Sequence, residues 1–526
     1  MNRADMYRRL QTHSGQWDMI VVGGGATGAG VAVDAASRGY HVLLLEQSDF
    51  GKGTSSRSTK LVHGGVRYLE QGNVLLVMEA LKERGLLLRN APHLVHKLAF
   101  VVPAYRWWEA PFYGIGLKLY DLLAGRHGFG ASRILSRAET LDRLPTLNTV
   151  GLRGGVLYFD GQFDDSRLLV NLVATASEQG AVLLNYARVT GMIKDSHGFV
   201  NAVKVRDVES GQEFEAAAKV VINATGPFAD DLRRQADPSA QPMIAPSQGI
   251  HLVLDGSFLT GETAIMVPHS SDGRVMFAIP WHGHTLVGAT DTPVPEPALE
   301  PVAQEREIDF VLRTASLYLA KKPARADVTS VFAGIRPLVR AGKSTNTAAL
   351  SRGHTIRIEN SRMITICGGK WTTYRRMAED CVNQAATLGR LPERRSTTGR
   401  LDIHGSHPGA DQFGQLAVYG SDAPAIRKLM EADPSLSEPL HTALPYAAAE
   451  VVWAVREEMA RTVEDVLARR TRALFLNARA AIEMAPRAAA LMARELGRDG
   501  GWEAAQVLAF HQTACGFLPA EATGSA

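Results

Sequence analysis

The sequence predicts an α/β fold in three parts: a Rossmann-like domain, an antiparallel β-sheet cap, and a C-terminal α-helical domain. Three observations predict it. Gly23, Gly25 and Gly28 stand in G-x-G-x-x-G spacing between two apolar runs. The stretch PHSSDGRVMFAIPWHGHTLVGATDTP breaks short apolar segments with turn residues, Ser271-Asp272-Gly273 and His282-Gly283-His284, which is the pattern of antiparallel strands. Beyond about residue 400 the chain turns rich in Ala, Arg and Glu, and apolar residues recur at helical spacing.

The opening unit can be justified residue by residue. Met19–Val22 reads as a strand, Thr27–Arg38 as a small-residue helix closed by Gly39, and HVLLLE as a second strand ending in Glu46. The first glycine makes the turn, the second admits a pyrophosphate to the backbone, and the third lets helix pack on strand. The helix N-terminus, with Ala26 and Thr27 at its start, turns unpaired N–H groups toward phosphate. Glu46 stands where a carboxylate accepts both ribose hydroxyls and repels a 2′-phosphate, which disfavours NADP.

An NAD enzyme continues with regular βαβ units. This chain runs instead into SDFGKGTSSRSTKLVHGGVRYLEQG. Hydroxyls and backbone N–H groups in such a segment can wrap an isoalloxazine ring and phosphates, so FAD is the expected cofactor. Ser55, Ser56, Ser58, Thr59 and His63 are candidate contacts, and Gly64 and Gly65 are expected to bring backbone against the ring. The strand of AKVVINATGPFADDL ends in Ala224-Thr225-Gly226, a second nucleotide-proximal turn in which Ala224 and Gly226 face the cofactor. Val189 is a further cofactor candidate.

Composition narrows the function classes. The 526 residues are 45% hydrophobic and 21% charged with net charge +3, an ordinary globular balance that argues against a nucleic-acid partner. Cys367, Cys381 and Cys515 lack metal-ligand spacing, so no metal site and a reducing compartment are expected. No apolar run of about 18 residues occurs, so no spanning helix is expected, and the glycines within Met19–Ala36 argue against a signal peptide.

GGGATGAG, SSRSTKLVHGGVRYLE, NATGPFAD, GIRPL and GGKWTTYRRMAE resemble the motifs of the FAD-dependent glycerol-3-phosphate dehydrogenases of the respiratory, aerobic type. The resemblance runs from about Trp17 to about Leu388, and the remainder resembles that family's helical extension less specifically. It implies the flavin fold of the glycine and D-amino-acid oxidases. It also implies oxidation of glycerol 3-phosphate to dihydroxyacetone phosphate, with ubiquinone or a similar quinone as acceptor. The implied location is peripheral or monotopic, on the cytoplasmic face of the inner membrane.

The FAD domain is expected to be discontinuous, over 1–105, 150–245 and 325–395, with the cap at 106–149 and 246–324 and the helical domain at 396–526. Val452, Val455, Met459, Val463 and Val466 predict one face of a long helix. Glu457, Glu458, Arg461, Glu464, Asp465 and Arg469 are expected mostly off it, solvated or facing a partner. That region reads as a packing or dimerisation module, with a homodimer among the expected partners. In YRWWEAPFYGIGLKLYDLLAGRHG, Ile115, Leu119, Leu122 and Leu123 share a face near Trp107, Trp108, Lys118, Arg126 and His127. The pattern suits either a helix lying in a membrane interface or one packed on the cap.

Flavin oxidation of a secondary alcohol leaves the protein two tasks, orienting the carbinol carbon and anchoring the charged end of the substrate. A phosphate dianion calls for arginine and lysine. Arg67, Arg336 and Lys370 are the candidate cations, with Tyr68 as a wall or hydroxyl donor and, by the resemblance, Arg336 as the main anchor. Gly334 precedes it in GIRPL. Gly369 permits close approach to the flavin, Lys370 contacts flavin or substrate, and Trp371 and Thr372 open a helix whose positive end stabilises a reduced ring. For the proton, His63 and His251 are both candidates, and the resemblance favours His251. No Fe–S or haem cysteine pattern is present, so a diffusible acceptor is needed, either quinone or oxygen. The latter would make an oxidase.

Overall fold

The computed structural model describes residues 1–70, 72–268, 274–340 and 353–519, and the side chains of Arg67 and Glu70 lie outside that description. The anticipated Ser271-Asp272-Gly273 turn also lies outside the described residues.

Two sheets organise the chain. The first is built on parallel strands in the order Ile364–Gly368, Glu213–Asn223, Trp17–Val22, Val42–Leu45 and Val182–Leu184, with His354–Ile358 antiparallel at one edge. Strands Ala187–Lys194 and Val200–Asp207 extend Glu213–Asn223 as an antiparallel ribbon. Strands buried on both faces read as unbroken apolar runs rather than alternations, which is why IVV and VLLL stood out. Helix Ala26–Ser37 covers this sheet, with Asn-free, Ala- and Val-rich turns buried along nearly its whole length. Helices Tyr374–Leu388 and Asp165–Glu178 complete the layer, and their apolar faces join one core with the strands.

The second sheet is mixed and larger. Ile244–Asp255 lies at its heart, antiparallel to both His284–Gly288 and Val328–Val339. The hairpin Met276–Trp281/His284–Gly288 turns at His282 and Gly283, both with positive φ, as a two-residue primed turn requires. The sheet continues through Thr263–Val267 to Val95–Ala104 and Gly154–Phe163. Val95–Ala104, Gly154–Phe163 and Val328–Val339 were expected in the nucleotide-binding pieces, yet they pair here. Period-two patterning identifies a strand but not its distant partner, so sheet membership could not be read locally.

The C-terminal region corrects two expectations. The long helix is broken: Ala448–Glu457 ends before Met459 and a wide turn spans Asp465–Arg470. Arg472 is left-handed, and helices Ala473–Leu476 and Ala478–Leu496 follow. The charges expected off the stripe also turn inward. Glu458, Asp465 and Arg469 are buried: the nucleotide domain supplies the counter-charges of Glu458 and Arg469, and Arg469 also pairs with Asp465. Asp49 accepts from Arg469 Nε at 2.5 Å and Arg470 Nη1 at 2.6 Å. Arg167 forks onto Glu458 at 2.6 and 2.9 Å, and Arg472 meets Asp164 at 2.9 Å. Burial alone would raise the Asp49 pKa, but the two guanidinium groups hold it down to about 2. The helical domain is thus welded to the first sheet by a buried ionic seam, while Leu474, Phe475 and their neighbours pack on the second.

Candidate active site

Between the sheets lies a cleft of about 740 Å³, within the range that takes a cofactor and a small substrate. The glycine turn forms one end. Gly23 has φ +110°, and a Cβ there would stand 2.6 Å from the Ala224 carbonyl oxygen, so this turn and the Ala224–Gly226 turn close on each other. A Cβ on Gly28 would lie 1.8 Å from Gly23 O; only a bare backbone lets the helix start there. Gly25 caps that helix without a side-chain bond. Ser55 Oγ accepts from Ala26 N at 2.9 Å, which marks this N-terminus as a seat for an oxygen acceptor.

Glu46 lines the cleft. Its carboxylate accepts from Gly24 N at 2.7 Å and Ser48 N at 2.9 Å, so it braces the turn it was expected to complement. Burial raises its pKa against those two N–H groups. Lone pairs remain on both oxygens for hydroxyl donors. A helix N-terminus for phosphate, a carboxylate for ribose, and a cleft long enough to reach the second sheet together fit an FAD molecule.

Ser55, Ser58, Thr59 and His63 line the cleft as expected, as do Thr27, Val189 and Gly226. Ser56 does not: its side chain is buried, and its carbonyl accepts from Lys60 Nζ at 2.7 Å. Gly64 and Gly65 pack closely on protein groups: a Cβ on Gly64 would lie 2.4 Å from Tyr120 Oη and one on Gly65 2.4 Å from the Tyr68 ring. Gly64 N donates to Tyr120 Oη at 2.8 Å. These contacts anchor the loop. Arg67 lies in the short helix Val66–Glu70, but its side chain is outside the described residues.

At the other end, Lys370 Nζ stands 3.8 Å over the Tyr68 ring, a cation–π contact. Gly368 and Gly369 both have positive φ, and the turn Trp371–Thr373 leads into helix Tyr374–Leu388. Thr372 Oγ1 accepts from His63 N at 3.1 Å and Trp371 Nε1 donates to Ser55 O at 2.8 Å, so this segment and the Ser/Thr loop brace each other. Gly334 is packed against Arg57, whose Cβ would lie 2.9 Å from an added Cβ.

Arg336 extends from Val328–Val339 into the cleft, its side chain 31% exposed. Its guanidinium lies flat across Gly249, where a Cβ would stand 2.3 Å from Nη2. Asp291, 3.5 Å away, went unnoticed in the sequence, as did Glu300, which pairs with Arg57 and Lys52. An acid in ATDTP carries no local sign of a partner 45 positions further along the chain. His251 is fully buried beside these groups. Burial, then the charges of Arg336 and Lys60, drive its pKa well below the ordinary histidine value, so the ring is neutral near neutral pH.

This architecture is that of a two-sheet flavoprotein oxidoreductase. The family model described as FAD dependent oxidoreductase matches residues 18–375, and one described as the C-terminal domain of alpha-glycerophosphate oxidase matches 361–506. The chain is 40% identical to the mitochondrial glycerol-3-phosphate dehydrogenase of Homo sapiens over 521 residues, covering 93% of this chain and 71% of that one. It is 40% identical over 523 residues to the probable mitochondrial enzyme of Caenorhabditis elegans, covering 94% and 72%. The structure of the Bacillus halodurans glycerol-3-phosphate dehydrogenase complexed with FAD superposes with TM-score 0.80 at 28% identity, covering 99% of each chain. Glycine oxidase of Geobacillus kaustophilus, at 20% identity and TM-score 0.53 over 74% of this chain and 98% of that one, shares the fold. The chain belongs to the FAD-dependent glycerol-3-phosphate dehydrogenase family.

The glycine geometry makes a sharp prediction. Gly28→Ala, which forces a Cβ into Gly23 O, is expected to weaken FAD retention about tenfold or more, in line with overpacking costs of about 1–3 kcal/mol. Gly500→Ala, outside the cleft and with nothing within 4 Å of the added atom, should retain FAD normally. Flavin-to-protein absorbance after dialysis measures both, and full flavin content in Gly28→Ala would contradict the reading.

Proposed function

We propose that this chain oxidises sn-glycerol 3-phosphate to dihydroxyacetone phosphate, with a membrane quinone as electron acceptor. Bound FAD supplies the hydride acceptor for the carbinol carbon. The observation that carries the reading is the cationic end of the cleft, where Arg336, laid across Gly249, and Lys370, seated over Tyr68, line one wall with the nucleotide-binding turn opposite. A phosphate dianion needs such donors; the carboxylate of an amino-acid substrate needs fewer.

Each residue has a task in this scheme. Arg336 anchors the phosphate, and Asp291 behind it limits its swing. Lys370 adds a second cation, and Tyr68 forms the wall on which that ammonium rests. His251, neutral in its buried seat, accepts the hydroxyl proton; phosphate binding to Arg336 offsets one of the charges that lower its basicity. A second reading, oxidation by oxygen with release of peroxide, is favoured by the match of residues 361–506 to a glycerophosphate oxidase domain.

A membrane surface is proposed to dock on helix Glu109–Ala124. Gly114, Leu117, Tyr120 and Ala124 form its buried face. Ile115 and Leu122 are 75% and 76% exposed, with Trp107, Phe112 and Leu119 also outward. Leu75 and Met78 of the helix Val74–Asn90 are exposed too, and Arg106 and Arg126 flank the patch. A contiguous apolar face with basic ends suits an anionic interface. Among the described residues no helix is long and apolar enough to cross a membrane.

Arg336→Ala should keep FAD while kcat/KM for glycerol 3-phosphate falls roughly 10- to 100-fold, the range of a hydrogen bond to a charged group; unchanged kcat/KM removes the anchor. With the unaltered protein, quinone reduction without stoichiometric peroxide is expected, and peroxide equal to substrate consumed would favour the oxidase. Ile115→Glu with Leu122→Glu should lower flotation with anionic liposomes about tenfold or more, because two large side chains no longer bury apolar area. Undiminished flotation would place the membrane contact elsewhere.

A further inference from the structure

We propose that Thr59 is a positioning residue for His251: its hydroxyl holds the imidazole through Nε2, and the Asp165 carboxylate fixes the loop on both sides of Thr59. The inference rests on His251 as the proton acceptor of the proposed reaction.

Thr59 Oγ1 lies 2.9 Å from His251 Nε2, and among the described residues it is the one group hydrogen-bonded to that imidazole. Packing settles the rest of the ring's freedom. One face stacks on Phe332, with centroids 5.0 Å apart and planes 20° apart. Gly288 stands directly across the sheet, and a Cβ there would lie 2.4 Å from His251 Cδ2. What remains is the hydrogen bond at Nε2, which a hydroxyl can make as donor or acceptor and which holds the ring in place in either tautomer. Catalytic histidines are usually oriented by a carboxylate or a carbonyl. Here the charged groups facing the ring are Arg336 and Lys60, both cations, so a hydroxyl takes that part.

Thr59 is clamped on both sides by one fully buried acid. Asp165 Oδ2 accepts from Ser58 N at 3.1 Å and from Ser58 Oγ at 2.7 Å. Lys60 Nζ donates to both Asp165 oxygens at 2.7 and 2.8 Å. Lys60 has φ +62°, a conformation uncommon for a side-chain-bearing residue. Its ammonium also lies 5.0 Å from the rings of Trp281 and Phe475 and 5.2 Å from Phe332. With residues 58 and 60 immobilised, the backbone of Thr59 is fixed with its hydroxyl at the imidazole.

The test compares flavin-loaded Thr59→Val, Thr59→Ser and His251→Asn in steady-state kinetics with glycerol 3-phosphate and a soluble acceptor across pH. Thr59→Val should keep its flavin and a KM within about twofold, while kcat falls about tenfold or more, a part of the roughly 100- to 10,000-fold that general base catalysis supplies, and the acid limb of kcat moves. Thr59→Ser should stay near the unaltered protein, and Thr59→Val with His251→Asn should be no slower than His251→Asn alone. If Thr59→Val does not fold, Thr59→Ala carries the same expectation. A Thr59→Val or Thr59→Ala protein with unchanged kcat and pH profile, beside a slow His251→Asn, overturns this inference alone. Equal impairment in Thr59→Ser assigns the effect to shape and overturns it too. Normal turnover in His251→Asn removes the histidine from the reaction and this inference with it.

Discussion

The Lys60–Asp165 pair is the point on which the rest of the structure depends. Both side chains are completely buried, and an ammonium withdrawn from water costs several kcal/mol unless its charge and donors are satisfied. They are satisfied here by two carboxylate oxygens and a carbonyl, inside a box of aromatic rings contributed by the hairpin at Trp281, the strand at Phe332 and the C-terminal domain at Phe475. One ion pair therefore registers the Ser/Thr loop, the second sheet and the helical domain against the first sheet. The residues that this loop brings to the cleft, Ser55, Ser58, Thr59 and His63, inherit their positions from it.

The same logic explains why the C-terminal region is part of the enzyme's frame rather than an appendage. Asp49, Glu458, Asp164 and their arginine partners are buried opposite one another across the seam. Removing one side of such a pair leaves a stranded charge, which is far more costly than the net worth of the intact pair. At the cleft itself acids stand behind cations, with Asp291 at Arg336 and Glu300 at Arg57. These pairs hold the cations in defined orientations, while the mouth of the cleft keeps positive groups toward an anionic substrate.

Much of this was legible in the sequence, for identifiable reasons. The glycine turn, its strands and Glu46 lie within one short stretch and obey local steric rules, so spacing alone located them. The hairpin at His282-Gly283 was legible for the same reason. What could not be read depends on pairing between distant segments. The assignment of Val328–Val339 to the second sheet, the Asp291–Arg336 contact and the Thr59–His251 bond each join residues far apart in the chain. The apparent long helix failed because a 3–4 apolar period persists through a region where Met459 and Arg472 adopt left-handed backbone, and period does not report a break. Buried charges such as Asp465 and Arg469 were misplaced because charge patterning assumes solvent unless a partner is known. Gly64 and Gly65 are points of close approach, and Tyr120, Leu81 and Tyr68 stand against them.

In the proposed reaction the cleft presents glycerol 3-phosphate to a bound flavin. Anaerobic mixing of the flavin-loaded protein with glycerol 3-phosphate, glycerol, glycine and sarcosine, followed by visible absorbance, tests it most directly. Rapid bleaching by glycerol 3-phosphate with little or none by the other three is the predicted result. Bleaching by the amines with none by glycerol 3-phosphate would contradict it.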